Sequence, residues 1–230
     1  MPGRHVAFLA ALILLSCAPL ESGTGSQTPA ERLAAALELD GRSAVAEIGA
    51  GNGELTADMA RTLGPEATLY STELASELGS LRSAVRDLAN VTVLEALPDD
   101  ANLPESCCDA IVLKRVYHHF RKPQLNNASM FRALKPGGKL AVIDFPPRAG
   151  WEQPDGTPDR GGHGVSIEHL TRELRSAGFE RIALEERWRT GCFSRSTGGP
   201  DRGQPETVPA PPIRLFAPAM SRSVVMMARP

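Results

Sequence analysis

Short apolar runs alternate along the chain with segments in which apolar residues recur every three or four positions. Runs bounded by glycine, proline or asparagine are typical of buried strands, whereas the longer spacing is typical of helices with one buried face. The runs predict seven strands, at residues 43–48, 67–72, 91–94, 109–113, 139–145, 181–186 and 223–228. The helical spacing predicts five helices, at residues 29–39, 54–63, 75–88, 123–134 and 167–177. Residues 135–138 (KPGG) are predicted to form a tight turn.

The order of these elements predicts the fold class. Strands that are apolar on both faces and alternate with helices form mostly parallel sheets, which helices cover on both sides. No helix is predicted between the last two strands, so one of them must run antiparallel at the edge of the sheet. We therefore predict a single α/β domain over residues 29–230, with a doubly wound, seven-stranded sheet. Residues 190–219, rich in Gly and Pro, are predicted to be a disordered insertion in the final hairpin.

The N-terminus has a different pattern. An apolar run of ten residues, VAFLAALILL at 6–15, follows a basic residue and is shorter than the ~20 residues of a membrane-spanning helix. Its length and flanks are typical of a signal peptide, and its end resembles the bacterial lipobox, with Cys17 as the lipidated residue. The sequence predicts a signal peptide at residues 1–17, a flexible linker at 18–28 and a location in the bacterial cell envelope, lipid-anchored or periplasmic. A buried N-terminal helix in a cytoplasmic protein is the alternative.

Charge and cysteine content indicate which partners the protein binds and whether its cysteines are reduced. With a net charge of −2, the protein surface as a whole does not attract nucleic acid electrostatically. The four cysteines, Cys17, Cys107, Cys108 and Cys192, include no Cys-x-x-Cys pair. A bond between the adjacent Cys107 and Cys108 would close a strained ring, so we expect neither a zinc site nor a disulfide framework. The expectation is a reduced, metal-free domain.

The stretch AEIGAGNGE, after the first predicted strand, has glycines at three alternate positions: Gly49, Gly51 and Gly53. A ligand of an open parallel sheet binds at the carboxyl ends of its strands, which is where this turn lies. A dinucleotide-binding loop would have its third glycine at position 54, where this chain has Glu54. The carboxylate of Glu47 would disfavour a pyrophosphate but suits the cationic amino and sulfonium groups of S-adenosylmethionine. A nicotinamide-dependent oxidoreductase is the alternative that Glu54 disfavours.

Five stretches together carry a family resemblance. VAEIGAGNGELT resembles the first motif of the class I S-adenosylmethionine-dependent methyltransferases, and Glu73 follows where that family has an acidic residue. DAIVLKRVYHHF and ALKPGGKLAVIDF are similar to the fourth-strand and fifth-strand motifs, and SIEHLTRELRSAGF to the helix that comes next. The resemblance implies a Rossmann-like fold, S-adenosylmethionine as the cofactor and methyl transfer (EC 2.1.1 class) as the activity.

The resemblance also implies roles for individual residues. The three loop glycines would border the methionine and ribose portions of the cofactor. Glu47 would steer the methionine amino group, directly or through water, and Glu73 would bind both ribose hydroxyls. Asp99 is our choice for the adenine contact, with Asp100 close behind. The alternative for both aspartates is a solvated turn, since turns favour aspartate.

Methyl transfer is an in-line displacement at an activated carbon, so the protein mainly supplies proximity, alignment and a dry environment. No metal is needed, and a general base is needed only if the acceptor must lose a proton. Tyr117, His118 and His119 follow the fourth strand near the expected methyl group, and His163 lies in a glycine-rich segment. Tyr117, His118 and His163 are the catalytic candidates. A structural role in hydrogen bonding is the alternative for the histidine pair.

The acceptor is predicted only as a class. Lys114-Arg115-Val116-Tyr117 stands where methyltransferases acting on bases or amides often have Asn/Asp-Pro-Pro-Tyr, so the sequence favours a small-molecule or lipid-like acceptor. The cations near the expected cleft, Arg160 among them, are expected to be solvated, with an anionic acceptor's approach as the alternative. An envelope-tethered binding protein without turnover is the second functional hypothesis, because the cofactor is made in the cytoplasm. The oligomeric state is left open.

Overall fold

The strands and helices alternate as the hydrophobic pattern predicts. The computed structural model describes residues 27–148, 150–184 and 224–228. The predicted signal peptide, most of the linker and the predicted insertion at 190–219 lie outside these residues. The elements are α1 Pro29–Leu37, β1 Ala44–Ile48, α2 Glu54–Leu63, β2 Thr68–Glu73, α3 Leu78–Val85, β3 Val91–Glu95, β4 Cys108–Lys114, α4 Pro123–Ala133, β5 Leu134–Asp144, α5 Ile167–Ser176, β6 Ala183–Leu184 and β7 Val224–Ala228.

The seven strands form one sheet in the order β3-β2-β1-β4-β5-β7-β6. The first five strands run parallel to their neighbours, and β7 pairs antiparallel with both β5 and β6. The predicted α/β fold with an antiparallel strand at this edge is confirmed, and the short β6 lies outside β7. The chain winds outward in opposite directions from β1 and β4, so a ligand-binding crevice is expected at the carboxyl ends of these two central strands.

Helices cover both faces of the sheet, which explains why the central strands are apolar along their whole length. All five residues of β1 are buried. On one face α1 and α2 pack on the sheet through Leu33 and Met59, and on the other α4 and α5 pack through Met130 and Leu174. Burial of each such side chain contributes about 1.5–3 kcal/mol. Within the described residues, no helix has the length and apolar character that crossing a membrane requires.

The start of β5 differs from the prediction. The KPGG segment, predicted to be a tight turn, belongs to the strand, which begins at Leu134 and pairs with Cys108 of β4. The pairing shifts register between Cys108 and Ala110, as in a β-bulge. A bulge accommodates extra residues on one strand without ending the ladder, so turn-forming residues here bend the strand but do not terminate it.

The expectation of free thiols is wrong for one cysteine pair. Cys107 and Cys108 are joined by a disulfide between adjacent residues, where Cys108 is the buried first residue of β4. Strain in a ring closed by adjacent cysteines disfavours the bond but does not prevent it, so spacing alone did not exclude this pair. Cys17 and Cys192 lie outside the described residues.

Candidate cofactor site

The loop between β1 and α2 is tied to the neighbouring strand through its backbone. The N–H groups of Gly49 and Ala50 both donate to the carbonyl of Thr72, at 2.9 and 3.0 Å. Gly49 and Gly51 adopt the left-handed conformation, with φ of +68° and +55°. A β-carbon on Gly49 would overlap the side chain of Val116, whereas one on Gly51 would meet nothing within 4 Å. Gly49 therefore permits close packing, and Gly51 borders open space.

Glu73, the last residue of β2, closes this loop. Its Oε2 accepts a hydrogen bond of 2.6 Å from the backbone N–H of Gly51, and its Oε1 accepts one of 2.7 Å from Leu74. An ionised carboxylate offers about four acceptor positions, so each oxygen can accept a further hydrogen bond. The predicted proximity of Glu73 to the glycine loop is thus a direct contact, in a geometry that suits two neighbouring hydroxyl groups.

A cavity of about 580 Å³ opens at the carboxyl ends of the central strands. This volume lies in the range of small-molecule sites. Polar groups on its wall include Glu73, Asp100 and His119, and Gly49 contributes backbone. Much of the remaining wall is apolar and includes Ile48, Leu74, Leu97, Val116 and Phe120. The cavity can hold a ligand with separate polar and apolar parts, and the outer loops supply much of its surface.

Glu47 lies beneath the glycine loop. Its side chain is buried, and Oε2 accepts a hydrogen bond of 2.5 Å from the hydroxyl of Thr56, which also lies 2.7 Å from Ser71 Oγ. Burial raises the pKa of the Glu47 carboxyl to about 7, although the hydrogen bond from Thr56 opposes that shift. Glu47 thus belongs to a polar network that joins β1, α2 and β2. Its contact with the methionine amino group stays a prediction.

Asp99 and Asp100, the acidic pair after β3, differ in their position relative to the cavity. Each forms an ion pair, Asp99 with Lys122 at 2.6 Å and Asp100 with Arg132 at 3.0 Å, and only Asp100 lies on the cavity wall. Backbone hydrogen bonds between Leu97 and Asp100 close the turn that separates the two side chains. Spacing alone does not determine which of two adjacent turn residues faces inward. Contact of either aspartate with a ligand stays a prediction, and Asp100 is the one that a ligand in the cavity would reach.

Tyr117 is a poor candidate for a catalytic base. Its hydroxyl donates to Glu173 at 2.9 Å and accepts from Asn127 at 2.9 Å, and the ring is fully buried. Burial and the Glu173 carboxylate raise the pKa of Tyr117 well above its ordinary value, so the hydroxyl stays protonated. Arg160, expected to be a solvated cation, is also buried and binds Glu173 at 2.8 Å. Both side chains join α5, through Glu173, to the segments that carry Tyr117 and Arg160.

His118 and His119 have different environments. His118 is buried, with Nδ1 2.8 Å from Asp144 Oδ1, and its backbone N–H donates to the same carboxylate at 3.1 Å. His119 is exposed and lies on the cavity wall. Burial, together with His118 and His163, lowers the pKa of His119, which favours the neutral imidazole. Of the pair, His119 is therefore the residue placed to receive a proton within the cavity, whereas the sequence favoured His118.

His163 joins these two residues from a distant loop. Its backbone carbonyl accepts a hydrogen bond of 3.0 Å from Arg148 N–H, and its ring lies 4.8 Å from that of His118, centre to centre. The ring also stacks on Phe145, at 5.7 Å. From the sequence His163 is a catalytic candidate in a glycine-rich segment, and the structure places it against the histidine pair.

Residues 46–142 match a family model described as "Methyltransferase domain". The chain is 29% identical over 105 residues to the ubiquinone/menaquinone biosynthesis C-methyltransferase UbiE of Vibrio campbellii, an alignment of 44% of this chain and 40% of that protein. The aligned segment spans about two fifths of the length of such curated relatives.

Solved structures share the fold. A methyltransferase from Aquifex aeolicus, described as dependent on S-adenosylmethionine, superposes with a TM-score of 0.56 at 21% identity, over 67% of this chain and 81% of that one. The phosphoethanolamine N-methyltransferase 2 of Haemonchus contortus, solved with S-adenosylmethionine, has a TM-score of 0.53 at 17% identity, over 64% and 35%. The sheet topology agrees with the fold of these structures, and the likeness in sequence to methyltransferases is carried by residues 46–142.

Proposed function

We propose that the protein transfers a methyl group from S-adenosylmethionine to a small-molecule acceptor with a substantial apolar part. The observation that carries the proposal is the carboxylate of Glu73. It is held by the backbone of the glycine loop and forms part of the wall of the cavity at the carboxyl ends of the central strands. That position is where an open parallel sheet binds a nucleotide-like ligand.

The residues of the site fit the cofactor. Glu73 offers two oxygens, each with acceptor capacity left, to a ribose diol. The space beside Gly51, which a β-carbon would enter without contact, leaves room for a ligand close to the backbone. Asp100 on the cavity wall supplies an acceptor for an exocyclic amine. Glu47 is buried in β1, two residues before the loop, and its carboxylate would favour a cationic amino group nearby.

When bound, S-adenosylmethionine supplies a methyl group activated by its sulfonium. The chain's own contribution is alignment and exclusion of water. Val116 and Phe120, in the segment after β4, place apolar surface in the cavity next to His119. A neutral His119 can accept the proton of an acceptor hydroxyl, because its lowered pKa leaves a ring nitrogen unprotonated near pH 7.

The acceptor is inferred from the shape and chemistry of the wall. Its apolar groups favour a molecule with a hydrocarbon or aromatic portion, which includes lipid-like compounds. The curated relatives named for ubiquinone and menaquinone biosynthesis align with 44% of this chain, so their names support the transfer reaction and leave the acceptor to experiment.

Calorimetry and a transfer assay with the full chain test the proposal. We expect S-adenosylmethionine and S-adenosylhomocysteine to bind, and a tritiated methyl group to pass from the cofactor into a fraction of cell extract. Failure of a folded chain to bind either compound would contradict the proposal. Binding without transfer into any fraction would favour the hypothesis of a binding protein without turnover.

We also propose that the leader at residues 1–17 is used and that Cys17 carries a lipid. The support is the apolar run of the leader and its lipobox-like end. Cys17→Ser should move the protein from the membrane to the soluble fraction after cell fractionation, and labelled palmitate should no longer be incorporated. Incorporation that survives the substitution would refute the anchor.

A further inference from the structure

Three histidines converge beside the cavity: His118, His119 and His163. One ring nitrogen from each lies within 4.8 Å of the other two. The first two follow β4, and the third comes from a loop whose backbone pairs with Arg148, after β5. These three residues form the histidine cluster. Its position depends on the pairing of β4 in the sheet and on the backbone pairing of Arg148 with His163.

The second nitrogen of two rings is already occupied. His118 Nδ1 lies 2.8 Å from the Asp144 carboxylate, which leaves Nε2 for another partner. His163 Nδ1 lies 2.8 Å from the backbone carbonyl of Glu152. Because a carbonyl only accepts, Nδ1 of His163 carries the proton and Nε2 has a lone pair. A carboxylate or carbonyl that holds one nitrogen and presents the other is the usual setting of a metal-binding histidine.

We propose that the histidine cluster binds one divalent transition-metal ion of the zinc type, with an open coordination position. Imidazole nitrogen suits zinc, copper, iron or nickel, whereas magnesium and calcium prefer oxygen ligands. Three protein ligands are typical of metal sites that keep a position for an exogenous ligand. Zinc–nitrogen bonds of about 2.0–2.1 Å require the nitrogens to lie about 3.4 Å apart. The exposed ring of His119 has the freedom to close that gap.

The electrostatics of the cluster are compatible with a cation. Asp144, with only 1% of its surface exposed, places a carboxylate directly behind His118. The nearby guanidinium of Arg160, which also approaches the carbonyl of His118, is balanced by its ion pair with Glu173. The guanidinium of Arg148 lies over the rings of Phe145 and Trp151, at 4.9 and 4.5 Å from their centroids. A buried carboxylate thus offsets part of the ion's charge.

The open position would face the cavity, since His119 belongs to both the cluster and the cavity wall. A metal ion there selects acceptors with an anionic or easily ionised oxygen, such as a phenol or an enol, because it lowers the pKa of a bound hydroxyl. Metal binding occupies the lone pair of His119, so in the metal-bound protein the ion replaces His119 as the group that activates the acceptor hydroxyl. This consequence for the acceptor rests on the proposed function. The binding of the metal itself does not.

Zinc titration of the full chain, freed of metal by a chelator and carrying no affinity tag, tests the site without cofactor or acceptor. We expect one zinc ion per chain, bound at least about tenfold more weakly by His119→Ala and by His163→Ala. His169→Ala is the matched control, because that histidine lies at the start of α5 and hydrogen-bonds Ser166 outside the cluster. Circular dichroism checks that each variant folds.

A second measurement locates the ion. The ring of Trp151 lies 5.7 Å from that of His163, and Trp188→Phe leaves Trp151 as the only tryptophan in the chain. Added Ni²⁺ should quench this fluorescence, and His163→Ala should remove the quenching. Equal zinc affinity in the wild type and in a folded His119→Ala/His163→Ala double variant would overturn the proposal, as would the absence of zinc binding by the folded wild type. Failure of methyl transfer would leave the metal result unaffected.

Discussion

The two sides of the cavity are built in contrasting ways. On the cofactor side, an acidic side chain is held by the backbone of a loop only 22 residues away, as Glu73 is by Gly51. On the opposite side, three histidines meet although His163 lies more than 40 residues beyond His118 and His119 in the chain. Backbone conformation determines the geometry of the cofactor side. Side chains brought together by tertiary packing determine that of the opposite side.

This difference determines which substitutions each side tolerates. Backbone amides and left-handed glycines present few choices of side chain, so the cofactor side is sensitive to a single added carbon. The opposite side can exchange groups at the ends of its loops while the strands stay in place. Under the proposed function, the residues that bind the cofactor and those that select the acceptor would lie on separate sides of one cavity.

The largest expected effect concerns the glycine loop. Gly49→Ala should lower the free energy of unfolding by about 3 kcal/mol, since it adds overlap with Val116 to left-handed strain. Gly51→Ala should cost only about 1 kcal/mol, because its β-carbon meets nothing within 4 Å. Urea unfolding measures both. Val116→Ala in the Gly49→Ala background should recover part of the lost free energy of unfolding. Equal costs for Gly49→Ala and Gly51→Ala would contradict the argument from overlap with Val116.

Glu47 should make stability depend on pH. The pKa of the carboxyl is about 7 in the folded protein, against an ordinary value of 4.5 for a solvated glutamate in the unfolded chain. Between these values the folded state binds more protons than the unfolded state, so the free energy of unfolding falls as pH rises. At 1.36 kcal/mol per unit of pKa, the loss is about 3 kcal/mol, complete above pH 7 and absent below pH 4.5.

Glu47→Gln removes this titration. Urea unfolding of both proteins across this pH range should show the wild type losing stability relative to the variant as pH increases. Parallel curves would mean that Glu47 ionises normally in the folded protein and that burial does not dominate its environment.

Glu73→Ala should weaken binding of S-adenosylmethionine by about 1–3 kcal/mol, because polar groups of the ligand lose their acceptor. Glu95→Ala is the matched control: Glu95 pairs with Glu73 in register at the end of the adjacent β3, but it is exposed. Calorimetry should give wild-type affinity for this control. Equal losses of affinity in both variants would mean that negative charge near the site, and not a specific contact of Glu73, favours binding.

The smallest effect distinguishes the two aspartates after β3. Asp100→Ala should weaken binding of the cofactor by about 1 kcal/mol, the worth of one hydrogen bond, and Asp99→Ala should leave it unchanged. The same calorimetric titration compares them. A loss confined to Asp99→Ala would support the assignment made from the sequence.

The sheet and the cofactor side follow from local pattern. The position of Glu73 is predictable because parallel strands end at one edge, so a residue closing β2 must lie near the loop that follows β1. Which of Asp99 and Asp100 faces the cavity depends on a turn closed by Leu97, and spacing carries no information about that closure.

The other side depends on contacts with no local signature. Tyr117 and Arg160 are buried because Glu173 satisfies both, and no pattern pairs these three residues in advance. The sequence predicts no metal site, and His163, 44 residues after His119, lies outside the short spacings of familiar metal motifs. The adjacent histidines His118 and His119 were the only indication of this site in the sequence. Which of them is buried and which faces the cavity could not be predicted without the fold.

The backbone pairing of Arg148 with His163 closes a loop that also contributes Pro154 and Asp155 to the cavity wall. Gln153 stabilises this loop internally through hydrogen bonds to residues 157 and 158. The segment that carries His163 therefore also forms part of the cavity wall. A substitution that displaces this segment would change the shape of the cavity and the position of His163 together.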